Sequence, residues 1–160
     1  MNTNKRHTPI AIRAAASTDL DELTGLFEAY RRFYELEPDA DSARAFLADR
    51  LKRTDSVILV AEDERDHTLV GFVQLYPTFS SLRMGRALIL NDLYVVERYR
   101  RAGVARKLSD AVLMFARMSG AVSVSLETQR ANTKARALYE SLGYHAEEDF
   151  ITYSVTVSSA

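Results

Sequence analysis

The sequence predicts an α/β fold of the α+β type, in which a mixed, mostly antiparallel sheet is flanked by helices. Two observations predict it. Three runs of β-branched and aromatic residues follow one another in the centre of the chain, at 56–63, 69–77 and 87–96, which favours antiparallel hairpins. After them, helix-like and strand-like segments alternate, and this order places further strands and helices around the same sheet.

The first third of the chain predicts one strand and two helices. The strand covers 9–15, and Ser17, Thr18 and Asp19 then offer capping side chains for a helix that runs to about Leu36. Apolar residues recur at helical spacing along this helix: Leu20, Leu23, Phe27 and Tyr30. A second helix follows the helix-breaking stretch EPDAD and contains Ala45, Phe46 and Leu51.

The remaining segments alternate between strands and helices. Gly120 and Gly143 are natural ends for the two helices, because glycine accepts the backbone conformation that follows a helix. In chain order we expect a loop over 78–86, a strand over 87–96, a helix over 103–118, a strand over 121–128, a helix over 131–144 and a strand over 149–157.

The composition limits the classes of function. The chain has 160 residues, 47% hydrophobic and 27% charged, which fits a polar tail over 1–8 and a single domain over 9–160. A formal net charge of −1 argues against a nucleic-acid partner, and the absence of cysteine excludes a disulfide and a cysteine nucleophile. Three scattered histidines predict no metal site, and no apolar run is long enough for a membrane span or a signal peptide. We therefore expect a cytoplasmic protein without a membrane partner.

A basic turn with one glycine, ERYRRAGVARKLSD (97–110), lies where a strand runs into a helix. A helix N-terminus presents unpaired N–H groups and a partial positive charge, which together bind phosphate. Gly103 would allow close approach, and cationic side chains surround it: Arg100, Arg101, Arg106 and Lys107. The alternative is a solvated charged helix start. A P-loop or a dinucleotide-binding turn would need more glycines.

Three stretches resemble the GNAT superfamily of N-acetyltransferases. RRAGVA (100–105) resembles its Arg/Gln-x-x-Gly-x-Gly/Ala acyl-CoA signature, ILNDLYV (89–95) resembles the strand before that signature, and LETQRANTKARALYESLGY (126–144) resembles its second cofactor motif. The resemblance implies the acyl-CoA N-acyltransferase fold, with a splayed central strand pair, and acetyl-CoA as the acetyl donor.

The resemblance also implies which residues bind coenzyme A. The backbone amides of Arg101, Gly103, Val104 and Ala105 would bind the pyrophosphate, and Arg106 would assist. The amide near Val95 would polarise the thioester carbonyl. The implied cofactor-binding residues are Leu93, Tyr94, Val95, Arg100, Arg101, Gly103, Val104, Ala105, Arg106 and Asn132. For Asn132, plain capping of its helix is an equal alternative.

Two residues are implied in catalysis. Tyr139 would protonate the departing thiolate, unless it is only a core aromatic residue. Asp92 is a carboxylate within an apolar strand, where burial suggests a task; it would hold the acceptor ammonium or take its proton, unless it pairs with a nearby arginine. Without cysteine, direct attack in a ternary complex is the expected route.

The acceptor side of the sequence leaves several substrates open. The tract at 76–95 resembles diamine and polyamine acetyltransferases and a branch that acetylates histones or small amines, but Asn91 stands where an acid is usual. The expected substrate-binding residues are Tyr30, Phe33, Tyr34, Asn91 and Asp92. We expect a primary amine of a small molecule, a diamine, a polyamine or an amino acid. The alternatives are a protein lysine or N-terminal acetyltransferase and a non-catalytic acyl-CoA-binding domain. Relatives imply a homodimer through the C-terminal strand.

Overall fold

A computed structural model of the chain describes residues 9–157, so the polar tail expected over 1–8 lies outside the described residues. The described chain forms two compact units, one up to Glu127 and the other from Thr128 onward. The first unit contains the entire sheet, and the second contains the last helix and the C-terminal segment. The single domain expected over 9–160 stays a prediction. Within residues 9–157, no helix combines the length and the apolar character needed to cross a membrane.

The first unit contains five strands and three helices. In chain order they are β1 (Ile10–Ala14), α1 (Leu20–Phe33), α2 (Ala40–Arg53), β2 (Val57–Asp63), β3 (Leu69–Ser80), β4 (Gly85–Val95), α3 (Val104–Met118) and β5 (Ser123–Leu126). Short 3-10 turns at Ser17–Asp19 and Glu97–Tyr99 precede α1 and α3. α1 ends three residues before the predicted Leu36, because Tyr34 closes the helix and Glu35 adopts a left-handed φ of +60°.

The five strands form one sheet in the order β1-β2-β3-β4-β5. The first three neighbouring pairs are antiparallel, and β4 with β5 is parallel. The predicted mixed, mostly antiparallel sheet is therefore confirmed. Parallel pairing covers Ala87–Leu90 of β4 and the whole of β5, so residues 91–95 of β4 extend beyond the end of β5. The splayed strand pair stays a prediction.

Helices cover both faces of this sheet. On one face, α1 and α2 pack against β2 and β3 around Leu23, Leu47 and Phe72. On the other face, α3 packs against the sheet at Gly71, where an added Cβ would lie 2.7 Å from the Tyr94 carbonyl oxygen and 3.4 Å from Leu108. Glycine at position 71 therefore lets β3, β4 and α3 approach closely, which fixes the strand that precedes the basic turn.

The loop expected over 78–86 is wrong. β3 and β4 continue as a hairpin, with Thr78 opposite Ala87 and Ser80 opposite Gly85, and only 81–84 form the turn. The side chains of this region lack the apolar alternation of a buried strand, since Phe79 and Leu82 are exposed. Backbone pairing with the neighbouring strand extends both strands without a buried face.

The second unit contains α4 (Thr133–Ser141) and an irregular segment after it. The strand expected over 149–157 is wrong for this structure, since these residues form no strand and are exposed. Alternating apolar residues favour a strand only when a neighbouring strand completes the hydrogen bonds. No described residue pairs with this segment in that way.

Candidate active site

The basic turn is built by two left-handed backbone positions. Arg101 has φ +59° and Gly103 has φ +82°, and Gly103 directly precedes the first residue of α3. Nothing lies within 4 Å of a Cβ built on Gly103, so the protein needs glycine here for its φ and not for space. Among the described residues, none accepts a hydrogen bond from the amides of Gly103, Val104 or Ala105. These amides are available to an anion.

The cationic side chains of the turn have different surroundings. The Arg100 Nε donates to the Val95 carbonyl oxygen at 2.9 Å, and its guanidinium lies over the rings of Tyr94 and Phe33, at 5.6 and 5.9 Å from their centroids. The Lys107 Nζ donates to the Ile10 carbonyl oxygen at 3.2 Å. Both side chains therefore also tie the turn to the rest of the first unit.

An open edge of β4 leads to this turn. Pairing with β5 stops at Leu90, so residues 91–95 have no strand neighbour on that side within the described chain. The Val96 amide donates to the Val70 carbonyl oxygen on β3 at 2.9 Å. Because successive residues of a strand direct their amides to opposite edges, the amides of Leu93 and Val95 face the open edge. An amide-rich chain could pair with them as an added strand.

A β-bulge interrupts β4 where the open edge begins. Gln74 of β3 lies opposite Asp92, and the next residue, Leu75, lies opposite Leu90. Asn91 is therefore an additional residue on β4. Bulges of this kind redirect side chains and occur often beside active sites. Register is not visible in composition or periodicity, so the sequence did not predict the bulge.

Asp92 is a buried carboxylate without a cationic partner. Its side chain is 5% exposed, and it accepts hydrogen bonds from the Asn91 Nδ2 at 3.1 Å and from the Tyr30 hydroxyl. Burial raises the pKa of this carboxyl above its ordinary value, although both hydrogen bonds oppose the rise. No lysine or arginine in residues 9–157 forms a salt bridge with Asp92, so the alternative of an arginine pair finds no support.

Three aromatic residues at the C-terminal end of α1 and directly after it extend from Asp92 toward solvent. The Tyr30 ring contacts Phe72 edge-on at 6.0 Å and Tyr34 at 5.2 Å, and Tyr34 contacts Phe33 at 5.3 Å. Phe33 is 54% exposed, which is high for a phenylalanine. The first unit thus brings together all five residues expected to bind the acceptor, either through direct contacts or as neighbours on β4.

Glu28 has a structural role. Its carboxylate accepts hydrogen bonds from the Arg31 Nη1 at 3.0 Å and from the Asp39 backbone amide at 2.9 Å, which ties α1 to the start of α2.

The residues 9–157 contain no cluster of three or more side chains suited to a metal ion.

Two polar residues of β3 near Asp92 were not among the site residues expected from the sequence. Gln74 is fully buried opposite Asp92, and Tyr76 follows on the same face. Burial and the nearby negative charge of Asp92 raise the pKa of Tyr76 to about 12. The available signal was a glutamine inside the apolar run LVGFVQLYP.

The second unit contains the other two expected site residues. The Asn132 Oδ1 accepts a hydrogen bond from the Ala135 amide at 3.2 Å and so caps α4. Tyr139 lies on α4, and its ring contacts Tyr144 edge-on at 5.7 Å. Capping uses the Asn132 oxygen only, which leaves its Nδ2 without an acceptor among the described residues.

Comparisons with known proteins cover nearly the whole chain. Residues 23–144 match the model of the acetyltransferase (GNAT) family. The chain is 43% identical over 146 residues to the uncharacterized N-acetyltransferase YhfO of Bacillus subtilis (strain 168), covering 91% of this chain and 97% of that protein. A crystal structure of a probable acetyltransferase is 40% identical, with a TM-score of 0.87, covering 94% of this chain and 99% of that one. The D-amino-acid N-acetyltransferase of Saccharomyces cerevisiae is 26% identical over 140 residues, covering 87% of each chain.

Proposed function

Since this chain belongs to the acetyltransferase (GNAT) family and is an N-acetyltransferase that uses acetyl-CoA, we propose that its acceptor is the primary amine of a small molecule. The observation that carries this proposal is Asp92, a buried carboxylate without a cationic partner that lies on β4 where its open edge begins. A buried anion of this kind favours an ammonium group as its missing counter-charge.

The residues of the first unit fit coenzyme A. The amides of Arg101, Gly103, Val104 and Ala105 would bind the pyrophosphate at the start of α3, and Arg106 would assist. The open edge at Leu93, Tyr94 and Val95 would pair with the pantetheine arm, and the Val95 amide would polarise the thioester carbonyl. Asn132 belongs to the second unit, and its proposed bond to the same arm rests on the family resemblance. Arg100, in turn, would position the end of β4 as well as add charge.

The proposed transfer is a direct attack in a ternary complex. The acceptor ammonium gives one proton to the Asp92 carboxylate, directly or through a water molecule. The amine nitrogen then forms a bond to the acetyl carbon while the carbon–sulfur bond breaks, and the departing thiolate takes a proton from the Tyr139 hydroxyl. The second proton of the nitrogen returns to the tyrosinate, and the proton on Asp92 passes to solvent. The role of Tyr139 rests on the family resemblance.

Within the small amines, the contacts favour an acceptor with one ammonium group over a polyamine. A polycation needs several carboxylates, but Asn91 replaces one, and Glu28 is occupied by Arg31 and Asp39. The exposed ring of Phe33 and the hydroxyl of Tyr30 suit an apolar or aromatic amino acid. The similarity to a D-amino-acid N-acetyltransferase supports the same class.

A thiol-release assay with acetyl-CoA tests the acceptor. The panel contains amino acids of both configurations, diamines and polyamines, aminoglycosides and lysine peptides. We expect the highest kcat/KM for amino acids or other monoamines. Turnover with peptides alone would support the protein acetyltransferase instead, and turnover with polyamines alone would refute the preference for one ammonium group.

We further propose a homodimer that forms through the C-terminal segment 149–157. Its large apolar side chains are exposed in the single chain, including Phe150, Ile151, Tyr153, Val155 and Val157. Exposed apolar residues at alternate positions favour pairing with a second chain. The cytoplasmic location expected from the sequence stays a prediction.

A further inference from the structure

Gln74 is a polar residue in the most buried part of the sheet. Residues 69–75 of β3 are all buried, and Gln74 has no exposed surface at all. A buried amide costs free energy unless both its ends form hydrogen bonds. An apolar residue of similar volume would satisfy the packing of this strand, so packing gives no reason for a glutamine at this position.

Only one end of the Gln74 amide is bound. The Nε2 donates to the Ser56 hydroxyl oxygen at 3.1 Å, across the sheet toward β2. The Oε1 is buried, and it accepts no hydrogen bond from any residue in the described part of the chain. Native proteins seldom leave a buried acceptor unbound, which suggests that a donor appears in another state of the protein.

The position of Gln74 identifies that donor. Gln74 and Asp92 lie directly opposite each other on β3 and β4, at the bulge created by Asn91. Residues opposed in this way have Cβ atoms about 4.5–5.5 Å apart, and their side chains share one face of the sheet. Two buried polar side chains of the first unit are therefore neighbours, one of them with an unbound acceptor.

The two hydrogen bonds that the structure gives to Asp92 both stabilise its ionised form. The Asn91 Nδ2 and the Tyr30 hydroxyl both donate to the carboxylate. Tyr76 of β3 lies on the same face, and the charges of Arg50 and Asp55 respectively lower and raise the pKa of its hydroxyl. A protonated Asp92 needs an acceptor for its own O–H group, and the residue opposite it on β3 carries a buried acceptor, the Gln74 Oε1.

We propose that the Gln74 Oε1 accepts a hydrogen bond from the protonated Asp92 carboxyl, once that group has taken a proton from the acceptor amine. Gln74 is then a positioning residue that stabilises the proton-bearing form of Asp92. This inference rests on the proposed role of Asp92 as proton acceptor. The step moves one proton from the ammonium nitrogen to an Asp92 oxygen, and the new O–H bond donates to Gln74.

Carboxyl-carbon NMR of the purified protein, without substrates, tests the hydrogen bond. The Asp92 signal is assigned from its loss in Asp92→Asn and is followed against pH. In Gln74→Met, which keeps the volume and removes the acceptor, we expect Asp92 to deprotonate about one pH unit lower. The acidic limb of kcat should move by the same amount, while KM for acetyl-CoA stays unchanged. Gln74→Leu serves as the second variant if Gln74→Met does not fold.

Ser109→Ala provides the matched control, because Ser109 is an equally buried polar residue on α3 whose hydroxyl bonds to the Ala105 carbonyl oxygen. It should lower stability without moving the Asp92 midpoint. An unchanged midpoint in Gln74→Met would overturn the proposal, and a higher midpoint would show that the amide donates to Asp92. If Asp92→Asn keeps full activity while the NMR shift occurs, the proposed function fails and the hydrogen bond stands.

Discussion

At the scale of single residues, Asp92 combines burial with a carboxylate that forms no salt bridge within residues 9–157. Its raised pKa follows from burial, and the hydrogen bonds from Asn91 and Tyr30 oppose that rise because they stabilise the ionised form. A carboxylate is a weak base in water. A pKa closer to the working pH makes it a better proton acceptor.

Asp92→Asn removes the proton acceptor and keeps the shape of the side chain. We expect kcat/KM for the amine to fall about 10²-fold or more, which is the usual contribution of a general base. Acetyl-CoA binding, measured by calorimetry, should not change. In the wild type, the rate should rise with pH through the raised pKa of Asp92, since only the ionised form accepts a proton. Asp110→Asn, an exposed acid on α3, is the control. Unchanged kinetics in Asp92→Asn would remove the carboxylate from the mechanism.

Tyr139→Phe removes the proposed acid and keeps the ring that contacts Tyr144. We expect kcat to fall about 10²-fold with acetyl-CoA affinity retained, because a positioned acid typically contributes that much. Tyr144→Phe is a matched control, since its hydroxyl is buried without a partner in the described chain. Equal rates for Tyr139→Phe and the wild type, measured by thiol release, would assign Tyr139 a packing role only.

At the scale of elements, the turn before α3 depends on a left-handed glycine. Gly103→Ala places a Cβ at φ +82°, which should lower the free energy of unfolding by about 1 kcal/mol and raise KM for acetyl-CoA. Gly25→Ala, in the interior of α1 with open space around it, should raise the free energy of unfolding by about 0.5–1 kcal/mol. Urea unfolding measures both. Similar stability changes of one sign in the two variants would contradict this account.

A buried hydrogen bond between Tyr99 and Asp63 also holds the basic turn in place. Asp63, at the end of β2, accepts hydrogen bonds from the Tyr99 hydroxyl at 2.8 Å and from the Arg65 Nε at 2.9 Å. Arg65 holds the pKa of the Asp63 carboxyl well below its usual range, with help from the Tyr99 hydroxyl. Tyr99 belongs to the 3-10 turn with which the basic turn begins, so this carboxylate connects β2 to the segment that leads into α3.

A lowered pKa in the folded state makes Asp63 stabilising above the pKa of the unfolded chain. That contribution is lost as the pH falls toward the folded value. Asp63→Asn should therefore lower Tm at pH 7, and the difference from the wild type should shrink below about pH 4. Tyr99→Phe should lower Tm by about 3 °C at pH 7. Thermal unfolding by circular dichroism checks both, and a pH-independent difference for Asp63→Asn would contradict the linkage.

At the scale of the whole molecule, periodicity was sufficient to predict most elements. The helices α1 and α3 have strong apolar spacing, and the central strands are continuous β-branched runs. The predictions for the hairpin end at Thr78–Ser80 and for the segment 149–157 were wrong for the same reason. A strand forms where a neighbouring strand supplies hydrogen bonds, and the sequence of a segment does not show whether such a neighbour is present. The pairing of Gln74 with Asp92 was not predictable, because it depends on the register across the bulge.

The proposed homodimer is tested by light scattering coupled to gel filtration. We expect a dimer at micromolar concentration, because burying the exposed apolar side chains of the C-terminal segment stabilises association. A Tyr153→Ser, Val155→Ser variant should elute as a monomer. Met118→Ser, an equally exposed apolar residue on α3, should leave the dimer intact. A monomeric wild type would refute the proposal.

The contacts of Arg100 predict that the start of the proposed anion site tolerates little sequence variation. One guanidinium bonds to the end of β4 and lies over the rings of Tyr94 and Phe33. An Arg100→Lys substitution would keep the positive charge but lose the bond to the end of β4, since an ammonium group lacks the planar fork of donors. We therefore expect three neighbours at once to limit substitution at position 100, and a requirement for positive charge alone would not demand an arginine there.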